Sequence, residues 1–249
     1  MATGANDRAV FRIWRGDALG GAFKDYATPV EEGMVVLDAV HRIQAQQAPD
    51  LAVRWNCKAG KCGSCSAEIN GVPKLMCMTR LNSLNLDMPV IVEPMHAFPS
   101  IRDLVTDVSW NYSVKKTIKP FRPRSPDAPD GTWRMKQADV ERVQEFRKCI
   151  ECFLCQDVCH VLREHGKFDE FIGPRFLVYA AALEMHPLDI EDRVTDLKDK
   201  HSIGYCNITT CCRQVCPEFI TITENAIIPL KERVVDRFFD PLKQLFHIL

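Results

Sequence analysis

The sequence predicts an α+β protein in two parts: a small sheet with one packed helix, then a mostly helical part. Three observations carry this expectation. Strand-type alternation and a hairpin turn occur only before Pro99, helical patterns dominate from Asp139 onward, and the cysteine-free gap between Cys77 and Cys149 holds a run of spaced prolines.

The elements follow in order. Ala9 to Arg15 sets Val10, Arg12 and Trp14 against Phe11 and Ile13, the period of a strand, whereas Val36, Leu37, Val40 and Ile43 share one helical face. Ser66 to Ile69 followed by Asn70-Gly71 reads as a strand entering a hairpin turn, and Val90 to Val92 as another short strand. Between Lys119 and Gly131, Pro120, Pro123, Pro126 and Pro129 forbid helix interior and give an extended connector. Beyond it, Asp139 to Lys148, Arg175 to Met185 and Glu224 to Phe246 are expected to be helical, with kinks at Pro229 and Pro241. The expected domains are 1–105 and 106–249, the second including the connector at 119–131.

Composition removes several classes of function. The 249 residues suffice for two domains with apolar cores, and a net charge of −1 provides no positive field to attract nucleic acid. The segment Met1 to Val10 lacks the apolar core of a secretory signal and the arginine-rich character of a transit peptide, so the chain is expected to stay in the compartment where it is made. The longest apolar run, Phe176 to Met185, covers about half of the roughly 20 residues that span a bilayer. Membrane contact is therefore expected through a partner or the surface.

Twelve cysteines without an export signal point to metal ligation, because a reducing compartment would not keep a disulfide framework oxidised. Cys57-x4-Cys62-x2-Cys65, with Cys77 eleven residues further on, has the plant-type [2Fe–2S] spacing. Four thiolates leave such a cluster negative, so backbone N–H dipoles must surround the sulfurs; Gly60 and Gly63 permit a loop that folds closely enough. A tetrahedral zinc site would also take four thiolates, but usually from two short-spaced pairs.

Cys149-x2-Cys152-x2-Cys155-x3-Cys159 is the bacterial ferredoxin run, whose fourth cysteine serves the other cluster. Laid on the third group, that template reads Cys206-x2-Thr209-x2-Cys212-x3-Cys216, followed by Pro217. The crossover assigns Cys149, Cys152, Cys155 and Cys216 to a [4Fe–4S] cluster and leaves Cys159, Cys206 and Cys212 for the other. A threonine hydroxyl is a poor ligand for iron beside soft sulfides, so the second site is expected to hold [3Fe–4S]. Three different clusters in one chain make an electron wire. Cys211 lies off the template and reads as a free buried thiol, with a fourth ligand of the [3Fe–4S] site as the alternative.

With these motifs in place, the chain resembles the iron–sulfur subunits of succinate dehydrogenase and fumarate reductase, the bacterial succinate:quinone oxidoreductases. The resemblance is carried by Cys57-Lys-Ala-Gly-Lys-Cys62-Gly-Ser-Cys65, Ile69-Asn70-Gly71, Ile101-Arg-Asp-Leu-Val-Thr-Asp107, Cys149-Ile-Glu-Cys152, Phe171-Ile-Gly-Pro174 and Cys212-x3-Cys216-Pro217. It implies an N-terminal plant-ferredoxin-like β-grasp domain followed by an all-α, bacterial-ferredoxin-like dicluster domain. It further implies a flavoprotein partner with covalent FAD, where succinate and fumarate interconvert, and a membrane anchor that often carries haem b. Electrons would pass from FAD through [2Fe–2S], [4Fe–4S] and [3Fe–4S] to quinone, within the respiratory chain and the tricarboxylic acid cycle. The chain would then sit peripherally at the cytoplasmic face of a bacterial plasma membrane, with no catalytic acid or base of its own.

The sequence departs from that family beside the last cluster. His160 stands where a proline is usual, Arg163 and Glu164 where many ubiquinone-reducing members have a tryptophan pair, and Asn207 where a histidine is often found. His160 reads as a surface or helix-start residue before it reads as a proton donor. Two functions of the same chemistry compete, fumarate reduction by the same wire and a soluble polyferredoxin. A zinc-stabilised scaffold is the structural alternative.

Overall fold

The structure, a computed structural model, describes residues 8–240. In chain order its elements begin with β1 (Arg8–Asp17), β2 (Gly20–Pro29), α1 (Val36–Gln46), β3 (Ser66–Ile69), β4 (Val72–Leu75), β5 (Val90–Glu93), β6 (Ser100–Arg102) and β7 (Val105–Thr106). The helices that follow are α2 (Ser109–Thr117), α3 (Gln137–Gln144), α4 (Leu154–Asp157), α5 (His160–Arg163), α6 (Gly173–Glu184), α7 (Val194–Asp199), α8 (Cys211–Gln214) and α9 (Ile228–Phe238). The chain forms two compact units, Met1–Val108 with Ile150–Val158, and Ser109–Cys149 with Cys159–Leu249.

The first unit is a mixed sheet in the order β4-β3-β5-β1-β6-β7, with β2 paired to β1. β1 runs antiparallel to β2 and parallel to β5, where Phe11 lies opposite Val90 and Ile13 opposite Val92. The alternation read in the sequence is the one observed: Ala9, Phe11 and Ile13 are buried and Arg12 is exposed. Val36, Leu37, Val40 and Ile43 of α1 are buried with them, each large side chain contributing about 1.5–3 kcal/mol. Asn70 and Gly71 both take positive φ, 51° and 74°, and join Ile69 to its partner Val72 in a two-residue hairpin turn.

Asp103 fastens three parts of this unit. Its carboxylate accepts from Arg15 Nε at 3.0 Å, Gly16 N at 3.0 Å and Ala52 N at 2.8 Å, while Leu104 N donates to Ala52 O at 3.2 Å. The end of β1, the β6–β7 turn and the segment leading into Cys57 are thereby held in one register. The Ile101–Asp107 motif thus has a structural reason.

In the second unit the described elements are helices, beside one isolated bridge between Pro123 and Asp189. The proline-rich connector is extended as expected, and it is pinned: Arg124 N donates to Leu188 O and Ile190 N to Arg122 O. Buried Arg193 completes the clamp, donating to Asp189 Oδ2 at 2.8 Å, Lys119 O at 2.9 Å and Pro120 O at 2.7 Å. A buried guanidinium is tolerable only when its donors are used in this way.

The expected helix after Asp139 is α3 continued by a 3-10 turn, Glu145–Lys148, and the one at Arg175 is α6. The expected kink at Pro229 is not one. A π-helical turn, Ile222–Ile227, runs into α9, and Pro229 sits in the first turn of α9, where its missing N–H is no loss. α9 ends at Phe238, short of the expected Phe246, and residues 241–246, Pro241 included, lie outside the described residues. Among the described residues no helix is long and apolar enough to cross a membrane.

Candidate functional site

None of the twelve cysteines is in a disulfide bond. Among the described residues, no group of three or more His, Cys, Asp or Glu side chains converges as it would on one metal ion. In the first group the thiols instead lie where the chain turns backbone amides toward sulfur.

In the first unit, Lys61 N and Ala59 N point at Cys57 Sγ at 3.2 and 3.4 Å. Cys57 N and Ser64 N approach Cys62 Sγ at 3.5 Å, and Cys77 N approaches Cys65 Sγ at the same distance. Lys58, Gly60 and Gly63 take φ of 56°, 68° and 67°, which curls the loop so that these amides face inward. Burial alone would raise the Cys62 thiol, but hydrogen bonds from Ser64 and from Cys57 outweigh it and bring the pKa down to about 6. Cys65 is deeper, and burial, reinforced by Cys77 and Cys62, pushes it up to about 12. A buried thiolate beside others needs a cationic centre to exist at neutral pH, and amide donors around sulfur suit an anionic cluster. The donor set fits a [2Fe–2S] group.

Gly63 has a second role that the sequence only half reveals. A Cβ added there would stand 2.6 Å from Cys152 Cα, so the first cysteine loop and the backbone of Cys152 touch because residue 63 has no side chain. Ser66 Oγ adds a hydrogen bond to Cys152 O at 2.8 Å.

The second and third groups are the same backbone repeated. Glu151 and Phe153 have φ of 55° and 62°; Ile208 and Thr210, at the same places of the template, have 61° and 63°. α4 begins at Leu154, two residues after Cys152, and α8 begins at Cys211, two residues after Thr209. Left-handed φ at β-branched Ile208 and Thr210 is costly, so it marks a loop whose shape is imposed by its task.

Cys159, Cys206, Cys211 and Cys212 line one cavity with Thr209, its apolar wall formed by Val161, Phe171, Ile208 and Ile227. Burial pushes Cys159 up to about 11 and Cys212 up to about 12, neighbouring thiols adding to both. Cys216 is likewise raised by burial, with Cys149 among its neighbours. His160 opens α5 on the rim of the cavity, as a helix-start residue. Arg163 Nε pairs with Glu164 Oε1 at 3.3 Å.

Sequence patterns did not reveal the groups that hold this cavity in shape. Glu145 accepts from Thr221 N and from Asn225 Nδ2, both at 2.6 Å, fixing the π-helical turn whose Thr223 hydroxyl lies 3.7 Å from Cys212 Sγ. Lys231 Nζ donates to Cys206 O at 2.5 Å. These partners lie tens of residues apart, so no local signal marks them.

Comparison with known proteins gives a consistent picture. Residues 10–112 match the 2Fe-2S iron-sulfur cluster binding domain and residues 145–220 the 4Fe-4S dicluster domain. The fumarate reductase iron-sulfur subunit of Mycobacterium tuberculosis is 34% identical over 79% of this chain and 79% of its own length. The succinate dehydrogenase iron-sulfur subunit of Paracoccus denitrificans is 28% identical over 94% and 91%. A chain of the Mycobacterium smegmatis Sdh1 complex in the apo form superposes with a TM-score of 0.92 at 58% identity, covering 96% of this chain and all of that one.

Proposed function

The chain belongs to the family of iron–sulfur subunits of succinate dehydrogenase and fumarate reductase, and we propose from this premise how its own residues carry electrons in such an oxidoreductase complex. Cys57, Cys62, Cys65 and Cys77 hold [2Fe–2S]; Cys149, Cys152, Cys155 and Cys216 hold [4Fe–4S]; Cys159, Cys206 and Cys212 hold [3Fe–4S]. When bound, the three clusters supply one-electron transfer between a flavin that handles succinate and a quinone. In this reading residues 1–105 form a plant-ferredoxin-like β-grasp domain and residues 106–249 an all-α, bacterial-ferredoxin-like dicluster domain.

The observation that supports the ligand register most strongly is the repeated pair of left-handed residues, Glu151 with Phe153 and Ile208 with Thr210. It aligns Thr209 with Cys152, so the hydroxyl stands where the other repeat has a thiolate. The chain's residues otherwise hold and insulate. Amides of residues 57, 59, 61 and 64 stabilise negative charge on the first thiolates, the Gly63–Cys152 approach keeps successive ligand loops in contact, and the wall around Cys212 excludes water.

The partners in this reading are an FAD flavoprotein and a membrane anchor, with or without haem, at the cytoplasmic face of the membrane. Quinone binds mainly to the anchor: Arg163 and Glu164, already paired with each other, would be costly to bury around an apolar ring. Purification from membranes should bring down a flavoprotein, and succinate should reduce the [2Fe–2S] centre of that complex. Recovery as a free chain that no flavoprotein reduces would favour the polyferredoxin.

A further inference from the structure

Cys211 is the one cysteine that the three-cluster assignment leaves unused. In the other repeat its position belongs to Leu154, a core residue of α4, so the fold itself asks only for an apolar side chain there. Here the position carries a thiol, half-buried and on the wall of the cavity shared by Cys159, Cys206 and Cys212. Its Sγ lies 3.3 Å from Thr209 Oγ1, the hydroxyl that replaces the fourth thiolate of the template. A soft sulfur donor thus sits within one hydrogen bond of the corner that a hard hydroxyl fills poorly.

We propose that Cys211 is a facultative fourth ligand, able to take up ferrous iron at the Thr209 corner and interconvert the site between [3Fe–4S] and [4Fe–4S]. This rests on the assignment of Cys159, Cys206 and Cys212 to a [3Fe–4S] group. In the forward direction Cys211 releases its proton to solvent and its thiolate binds Fe2+. The one-electron-reduced core, [3Fe–4S]0, with Fe2+ gives [4Fe–4S]2+, and the electron that reduces the core comes from the enzyme's own succinate-fed path. In reverse, loss of one electron to an oxidant such as ferricyanide releases Fe2+, leaves [3Fe–4S]1+, and returns a proton to Cys211. The state of this site would then report iron supply and redox poise.

The test uses the assembled complex, reduced without oxygen by dithionite, incubated with 57Fe2+, freed of excess iron and examined by Mössbauer spectroscopy, then by EPR after mild reoxidation. Wild type should gain about one 57Fe per chain and lose most of its [3Fe–4S] signal. Cys211→Ser and Cys211→Ala should keep the signal and gain none, while Thr209→Val, which retains the thiol, should convert like wild type. The [2Fe–2S] signal serves as the internal control for assembly. A signal absent from isolated wild type but present in the Cys211 variants would also support the proposal, since Cys211 would already hold iron. If wild type and the Cys211 variants respond alike, the proposal is overturned while the cluster assignment stands. If no variant, fully loaded with iron, shows a [3Fe–4S] signal, the assignment falls and the proposal with it.

Discussion

Replacing Asp103 by alanine should loosen the [2Fe–2S] loop without touching a cysteine. The carboxylate is almost wholly buried and accepts from Arg15, Gly16 and Ala52; alanine leaves both amides without their acceptor. Arg15 is not orphaned, because it keeps Asp50 Oδ2 at 2.6 Å and Tyr26 OH at 2.8 Å. The loss is therefore smaller than that for a fully stranded buried charge, about 3 kcal/mol, to which the left-handed φ of 49° at this position adds strain for alanine. For a chain of this size that corresponds to an apparent Tm lower by about 10 °C. Asp103→Asn keeps an acceptor oxygen and a side chain that tolerates this φ, so it should fall between the two. The assay is thermal bleaching of the visible absorption of the assembled complex, with the [2Fe–2S] EPR signal followed on aliquots. The [2Fe–2S] signal should fade before the others in Asp103→Ala. A Tm within about 2 °C of wild type, or bleaching that starts at the other clusters, would mean that Asp103 does not hold the [2Fe–2S] loop.

Three further outcomes follow from the same geometry. Gly63→Ala should lower the content of both [2Fe–2S] and [4Fe–4S], because left-handed φ costs alanine about 1–2 kcal/mol and the new Cβ meets Cys152 backbone; iron analysis that finds both clusters intact would contradict this. Thr209→Cys should complete the second cubane, and an EPR signal of oxidised [3Fe–4S] equal to that of wild type would mean that Thr209 is not the missing ligand position. His201 is buried, and burial holds its imidazole below the ordinary value, Asp196 opposing and Lys200 reinforcing the effect. The unfolded chain therefore binds more protons than the folded one below about pH 6.5, and stability should fall as pH drops through that value toward the folded one. The apparent Tm between about pH 7.5 and 5.5 should decline less steeply in His201→Leu than in wild type; parallel curves would assign the dependence to other groups.

The parts of the fold legible in the sequence are those where one element buries one face. Phe11 and Ile13 in β1, the α1 stripe, and the Asn70-Gly71 turn declare themselves because period and turn chemistry act over a few residues. β2 gave no such sign: most of its residues are exposed, so it carries no alternation, and its place is set by backbone pairing to β1. Asp103 was legible only as part of a motif, since its partners lie up to 88 residues away. The repeat that joins the second and third cysteine groups was readable from spacing alone, and the left-handed pairs Glu151 with Phe153 and Ile208 with Thr210 follow it. The closeness of Cys211 to Thr209 was not, because it depends on which way two side chains turn at the start of α8.

Iron, acid-labile sulfide and EPR, measured together on the purified complex, decide whether this chain carries three different clusters. About nine irons and ten sulfides are expected per copy of this chain, beyond any metal of the partner subunits. The oxidised sample should show a [3Fe–4S] signal, and stepwise reduction should bring up [2Fe–2S] and then [4Fe–4S]. A colourless preparation containing zinc and no sulfide would mean that the cysteines hold a zinc scaffold and no cluster.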